Sequence, residues 1–218
     1  MMPERKGFFV TIDGPSGVGK STTIEELHSQ LAARGIPAQR TTEPPKTDLG
    51  NFTRQHAGQI HGMSLACLVA AARYQHIETT IQPALTRGDL LISDRYVAST
   101  LVLQQLDGVP LDFLLSINRY APKPDLAAIL TAEPGKIADR IAEAGVTHRF
   151  RGDPTAPSRE VDLYRDAATI LANSGIQVLT LDTSDATPSE VASRIADAIP
   201  PLPLTSVPPA SIPTPQEP

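Results

Sequence analysis

A chain of 218 residues with 40% hydrophobic content can bury one sizeable core, and nothing in it demands a second domain. Its net charge of −5 argues against a dedicated nucleic-acid binder, which needs a basic face to release counterions from the phosphate backbone. The single cysteine, Cys67, cannot form an internal disulfide and suits a reducing cytosol, and no stretch approaches 18 consecutive apolar residues, so no membrane span is expected. Met1 to Lys6 is polar and runs straight into the first strand, leaving no room for a signal peptide. Cys67 itself reads as a small buried apolar residue on a helix.

The apolar, β-branched run Phe8–Ile12 is the pattern of a buried strand. Gly14-Pro15-Ser16-Gly17-Val18-Gly19-Lys20-Ser21 follows and satisfies G-x-x-x-x-G-K-[ST], after which Ile24, Leu27, Leu31 and Ala32 recur at helical spacing over Ser21–Arg34. Strand, glycine loop, helix is the context that gives this pattern its chemistry. Glycines let successive N–H groups turn inward around phosphate oxygens, and the helix N-terminus adds partial positive charge at the same point. Residues Gly14 to Thr22 are therefore the candidate ATP site, with Lys20 reaching the β- and γ-phosphates and Ser21 holding Mg²⁺.

Further strands are predicted at Ala38–Thr42, Leu90–Ser93, Leu126–Thr131 and Gln177–Leu181. Helical patterns lie at Ser64–Arg87, Ala98–Arg119, Pro134–Glu143, Arg159–Ser174 and Pro188–Ala198, and Gly35, Gly88 and Gly175 stand where C-terminal caps are expected. Alternating strands and helices imply parallel pairing with right-handed crossovers, an α/β sheet covered on both faces. Ligands of such sheets sit beyond the carboxyl ends of the strands, where residues 13–21, 43–46 and 94–96 converge. The domain is expected over 1–199, and the proline-rich stretch 200–218 is expected to be a solvated, disordered tail.

Ile12-Asp13-Gly14 through Thr22, Thr42-Glu43-Pro44, Ala71-Ala72-Arg73, Ile81-Gln82-Pro83-Ala84-Leu85 and Ile92-Ser93-Asp94-Arg95-Tyr96-Val97-Ala98-Ser99-Thr100 together resemble the thymidylate kinases, over roughly residues 7–199. Pro124-Asp125-Leu126 and a basic segment followed by a helix carrying Tyr164 match as well. The resemblance implies a P-loop kinase fold, a five-stranded parallel sheet with helices on both faces and an arginine-bearing lid at about 146–159. It implies transfer of the γ-phosphoryl of ATP, with Mg²⁺, to a deoxynucleoside monophosphate, dTMP being the best single choice. Lys20, Arg95 and the lid residues Arg149 and Arg151 become the catalytic candidates. Ser21 and Asp94 become the metal-holding pair. Asp13, Glu43, Val69, Arg73, Arg95, Ser99, Thr100 and Gln104 become the acceptor-binding set, Arg73 taking the 5′-phosphate. Joining two anionic phosphoryl groups demands charge neutralisation and alignment, for which the planar, permanently charged fork of arginine is suited. A homodimer through the helical stretch Ser64–Ile81 and a cytoplasmic location follow from the same resemblance.

Departures from the family pattern concentrate in the acceptor pocket. Val69 and Leu103 stand where aromatic residues are usual, and Ser16 stands where the loop usually carries an acid; Asp13 could take over that acid's position, and Phe52 or Tyr74 could supply a ring from elsewhere. Loss of aromatic stacking weakens a flat base by about 1–3 kcal/mol per stack. A nucleoside kinase using Glu43 as base on a 5′-hydroxyl is the alternative, distinguished by having no need of Arg73. A GTP switch is disfavoured by the absence of N-K-x-D and D-x-x-G. His28, His56, His61 and His76 lack metal-ligand spacing and are expected on surfaces or at packing edges.

Overall fold

A computed structural model describes residues 7–143 and 155–202 of the chain. Arg149, Arg151, residues 146–154 of the expected lid and residues 203–218 of the expected tail lie outside the described residues.

Five strands form one sheet: β1 (Phe8–Asp13), β2 (Ala38–Thr42), β3 (Leu90–Asp94), β4 (Leu126–Thr131) and β5 (Gln177–Asp182). Their order is β2-β3-β1-β4-β5 and every pairing is parallel. Each begins where the hydrophobic run predicts and ends within one residue of it. All six residues of β4 are buried, as are five of six in β1, because helices cover both faces of a parallel sheet.

On one face α1 (Lys20–Ala33), α7 (Pro134–Glu143) and α9 (Pro188–Asp197) enclose a core with Val10, Ile12, Leu27, Leu31, Ile137 and Ile195. The other face carries α5 (Val97–Leu106), α6 (Leu111–Asn118) and α8 (Ala156–Asn173), packed around Leu101, Leu114, Ile129 and Tyr164. A third cluster gathers Phe9, Ile81, Leu85, Leu91 and Tyr96 beneath α4 (Gln82–Arg87).

Three local differences from the periodicity have physical causes. The helix α2 (Asp48–His56) carries no apolar stripe to announce it; Thr47 caps it by accepting from the Gly50 amide, and a Cβ at Gly50 would stand 2.0 Å from the Pro45 carbonyl oxygen. The stretch 64–87 is divided into α3 (Gly62–His76), a π-helical turn at Ile77–Ile81 and α4, whose Pro83 offers no N–H to an uninterrupted helical ladder. The stretch 98–119 breaks into α5 and α6 where Gly108 adopts φ 80° and Pro110 opens the second helix. Cys67 is on α3 as expected but exposed, because the inner face of that helix is taken by Leu65, Ala66, Ala70 and Arg73. Among the described residues no helix is long and apolar enough to cross a membrane.

α9 starts with a reciprocal cap, the Glu190 amide donating to Thr187 Oγ1 and the Thr187 amide to Glu190 Oε2 at 2.7 Å. Thr187→Ala should destabilise the fold by about 1 kcal/mol. Calorimetry should record a fall of roughly 2–4 °C in melting temperature, and an unchanged melt would show that the cap contributes nothing.

Candidate active site

The register aligns Ile12 and Thr42 with Asp94, so the segments leaving β1, β2 and β3 meet at one edge of the sheet. The glycine loop turns there with Gly14, Gly17 and Gly19 all at positive φ. At Gly14 a Cβ would also lie 2.5 Å from the Leu130 carbonyl oxygen, so only glycine fits. Lys20 is buried, and its ammonium donates to the carbonyls of Gly14 (2.9 Å) and Pro15 (2.7 Å). Burial, and then the neighbouring charge of Arg95, lower its pKa to about 7 against the opposing pull of Asp94, Glu160 and Asp13. Thr183 braces the loop by donating to the Val18 carbonyl at 3.0 Å. Ser21 and Thr22 open α1 exposed, Pro15 and Val18 are buried and Ser16 is half-buried.

Asp13 is the joint between the loop and α5. Its Oδ1 accepts from the amides of Tyr96 and Ser99 at 2.9 Å each and from the Ser99 hydroxyl at 2.6 Å. It therefore caps, from β1, a helix whose own N-cap residue, Tyr96, supplies no side-chain cap. Burial raises its pKa in spite of these bonds, and its Oδ2 has no hydrogen-bond partner among the described residues. Arg95 follows β3 at φ 71°, the one non-glycine residue with positive φ among those described, a strained conformation of the kind concentrated at functional sites. Its Nη1 donates to Ser99 Oγ (3.3 Å) and to the Tyr164 hydroxyl (3.4 Å), and those two hydroxyls are 3.0 Å apart.

Glu160 was not legible as a site residue. It is 1% exposed on α8, accepts from the Ser16 amide at 3.4 Å, and acts electrostatically on Lys20, Arg95 and Tyr164. The available signal was its position one helical turn before Tyr164, which puts both on the inner face of α8.

A second polar cluster lies under the β2–α2 connection, where the Glu43–Pro44 peptide is cis. Arg73 is 1% exposed on α3 and holds Glu43 Oε2 through Nε (2.7 Å) and Nη2 (2.6 Å). Its Nη1 donates to Asn118 Oδ1 and its Nη2 to Thr100 Oγ1 at 2.7 Å, while the guanidinium lies 5.2 Å from the centre of the Tyr96 ring. His76 is buried here, not at a surface: its Nδ1 lies 3.3 Å from Glu43 Oε1 and its Nε2 2.6 Å from Thr41 Oγ1. It follows Arg73 by three residues on α3 and so shares its buried face.

Asp13, Ser99, Arg95 and Tyr164 thus form one connected set, and Glu43, Arg73, Thr100 and Asn118 another. Gln104 is buried one turn beyond Thr100, and Val69 is half-buried one turn before Arg73. Leu103 is half-buried on α5. Of the two rings considered as replacements, Tyr74 is tethered by its hydroxyl to the Ile117 carbonyl at 2.9 Å, whereas Phe52 is exposed and stacks on His56 with centroids 4.1 Å apart.

An open cleft of about 520 Å³ adjoins the loop, lined among others by Ser21, Arg40, Thr42, Lys46, His76 and Asp94. Asp94 Oδ1 is buried without a hydrogen-bond partner among the described residues. A hydroxyl and a carboxylate facing one polar cleft fit Mg²⁺, which takes few protein ligands and keeps phosphate oxygens and waters for the rest.

The thymidylate kinase family model matches residues 12–195. A probable thymidylate kinase of Caldivirga maquilingensis is 32% identical over 188 residues, covering 79% of this chain and 92% of its own. A thymidylate kinase of Xanthomonas oryzae pv. oryzae is 37% identical over 168 residues, 76% of this chain and 71% of its own, and one of Bacillus velezensis is 35% identical over 156 residues, 67% and 74%. The match spans the loop, the arginine after β3 and the helix bearing Arg73, which the fold brings to one edge of the sheet; the chain belongs to the thymidylate kinase family of phosphotransferases.

Proposed function

We propose that this chain transfers the γ-phosphoryl group of ATP to the 5′-phosphate of dTMP. The observation that carries the reading is the meeting at one edge of the sheet of two cations, Lys20 buried within the glycine loop and Arg95, which follows β3 and donates its amide to the Ile12 carbonyl at 3.0 Å. Such a pair is relieved by a polyanion, and phosphoryl transfer supplies one at each side of the reacting centre.

The donor phosphates lie against the loop amides at the start of α1, where Lys20 exchanges the carbonyls of Gly14 and Pro15 for phosphate oxygens. Ser21 and Asp94 would hold Mg²⁺, which when bound neutralises phosphate charge. Arg95, fixed by Ser99 and Tyr164, stands between donor and acceptor. Asp13 and Ser99 border the acceptor sugar, and Val69, Thr100 and Gln104 line the base pocket. Arg73, with its fork engaged by Glu43, Asn118 and Thr100, shapes that pocket. Arg149 and Arg151 bring further positive charge to the transferring group when the lid closes, which also excludes water. A phosphate acceptor is already ionised near neutral pH and needs no base. That agrees with Glu43, whose carboxylate is committed to Arg73 and His76 and is poorly placed to deprotonate a hydroxyl.

One kinase domain over 1–199 with a tail at 200–218, a homodimer through α3 and a cytoplasmic location belong to the same proposal. The exposure of Met63 at the start of α3 and of Phe52 on α2 supports the dimer.

The test is an acceptor panel of dTMP, dUMP, dCMP, dGMP, UMP and the corresponding nucleosides with Mg·ATP, followed by nucleotide chromatography. dTMP should be the best acceptor and the nucleosides inert. Phosphorylation of thymidine with dTMP inert would overturn the reading.

A further inference from the structure

We propose that His76 is a positioning residue for the acceptor pocket: by holding one oxygen of Glu43 it fixes the carboxylate that orients Arg73. This rests on the nucleotide-kinase reading above and adds to it a residue that touches neither nucleotide. His76 is 1% exposed with both ring nitrogens engaged inside the protein, so it acts through its partners.

Three elements meet at its ring. β2 supplies Thr41, the β2–α2 connection supplies Glu43, and α3 carries His76 itself, three residues after Arg73. A carboxylate paired with a guanidinium only accepts, so Nδ1 carries the imidazole hydrogen towards Glu43 Oε1, and Nε2 faces the Thr41 hydroxyl, which can donate to it. The main chain of Glu43 is already fixed, its amide donating to the Asp94 carbonyl at 3.0 Å, so what is left to set is the rotation of its side chain. Arg73 takes Oε2 with Nε and Nη2, and His76 takes Oε1. With both oxygens held the plane of the carboxylate is defined, and the planar fork of Arg73 takes its direction from that plane. The rest of the fork reaches Asn118 and Thr100, and Thr100 lines the base pocket of the proposed reaction. An aliphatic side chain at position 76 would fill similar space but leave one oxygen of a buried carboxylate without this donor.

His76→Leu, His76→Asn and His76→Gln separate the roles of the ring nitrogens. The asparagine amide nitrogen lies as far along the side chain as Nδ1, and that of glutamine lies as far as Nε2, so Asn restores the bond to Glu43 and Gln only the one to Thr41. With dTMP and ATP varied independently, His76→Leu and His76→Gln should raise KM for dTMP about 5–20-fold, with kcat within about 3-fold and KM for ATP unchanged. His76→Asn should keep KM for dTMP within about 3-fold of the unaltered protein. In proton–nitrogen correlation spectra the Arg73 Nε–H resonance, assigned by its loss in Arg73→Lys, should move in the Leu and Gln variants and return in His76→Asn. Circular dichroism would verify folding, and the contrast of Asn with Gln decides the matter even if the Leu variant does not fold. Equal KM values for dTMP in the Asn and Gln variants overturn the role, because His76 would then serve packing alone. A parallel rise in KM for ATP, or an Arg73 resonance indifferent to the substitutions, overturns it as well. Failure of the unaltered protein to phosphorylate any nucleoside monophosphate overturns the functional reading and the pocket role with it, while the Arg73 resonance still reports whether His76 orients the pair.

Discussion

Lys20→Met should cost at least about 10²-fold in kcat/KM and, at pH 7, raise the melting temperature. The ammonium is buried among backbone carbonyls, with Arg95 as a like-charged neighbour, and its pKa falls from 10.5 to about 7. The folded protein therefore releases this proton well before the unfolded chain does. Between about pH 7 and 10.5 the unfolded chain binds more protons, so stability rises with pH across that window, and the charge at pH 7 costs on the order of 4 kcal/mol. Methionine keeps most of the volume and removes that cost. Leaving the Gly14 and Pro15 carbonyls without the ammonium offsets part of the gain. A net rise of roughly 2–5 °C is the expected result, shrinking as the comparison moves towards pH 10, where the unaltered lysine is neutral. Melts of both proteins at pH 7 and pH 9.5 check it; a variant less stable than its parent at pH 7 would show that the lysine is not strained.

Removing Glu43 should have the opposite consequence. Glu43→Ala leaves the Arg73 guanidinium in a site 1% exposed with only neutral partners, Asn118 and Thr100, and takes from His76 its carboxylate neighbour. Breaking a buried ion pair from one side costs about 3–5 kcal/mol, because the surviving charge stays desolvated. Urea unfolding should register that loss, equivalent to roughly 6–15 °C in melting temperature. Combining Glu43→Ala with Arg73→Met should restore much of it, and the coupling energy of the cycle should exceed about 2 kcal/mol. Additive losses would mean that the two residues do not act as a pair. The cycle also bears on chemistry: a base acting on a hydroxyl would lose rate on replacement by glutamine with little change in stability, whereas a carboxylate that anchors an arginine loses stability first.

Sequence made the sheet legible and left the polar interior mostly dark. Strands such as Leu126–Thr131 are buried along their whole length, so composition alone marks them, and the glycine loop is constrained at Gly14, Gly17 and Gly19 by a positive φ that few residues allow. Helix α2 escaped because its stability comes from a cap and from packing at Gly50 and Thr53. The break at Gly108-Val109-Pro110 was written in the sequence but masked by apolar periodicity running through it. Asp13, Glu160, Asn118 and His76 are of another kind. Each draws its role from a partner that the chain reaches only after folding: Asp13 from an amide 83 residues away, Glu160 from one 144 residues away. An isolated polar residue carries no sign of whether it will be buried, and only the sheet order decides which of them meet.

Two helices, α1 and α5, begin at the same edge of this sheet, and each start presents unpaired amides to any anion nearby. Asp13 fills the second of them from within the chain. The protein thereby carries an internal substitute for phosphate at α5, whereas the start of α1, where the glycine loop ends, has no side-chain cap. The residue that precedes the loop thus settles, within the fold itself, which of these two helix starts is left for an outside anion.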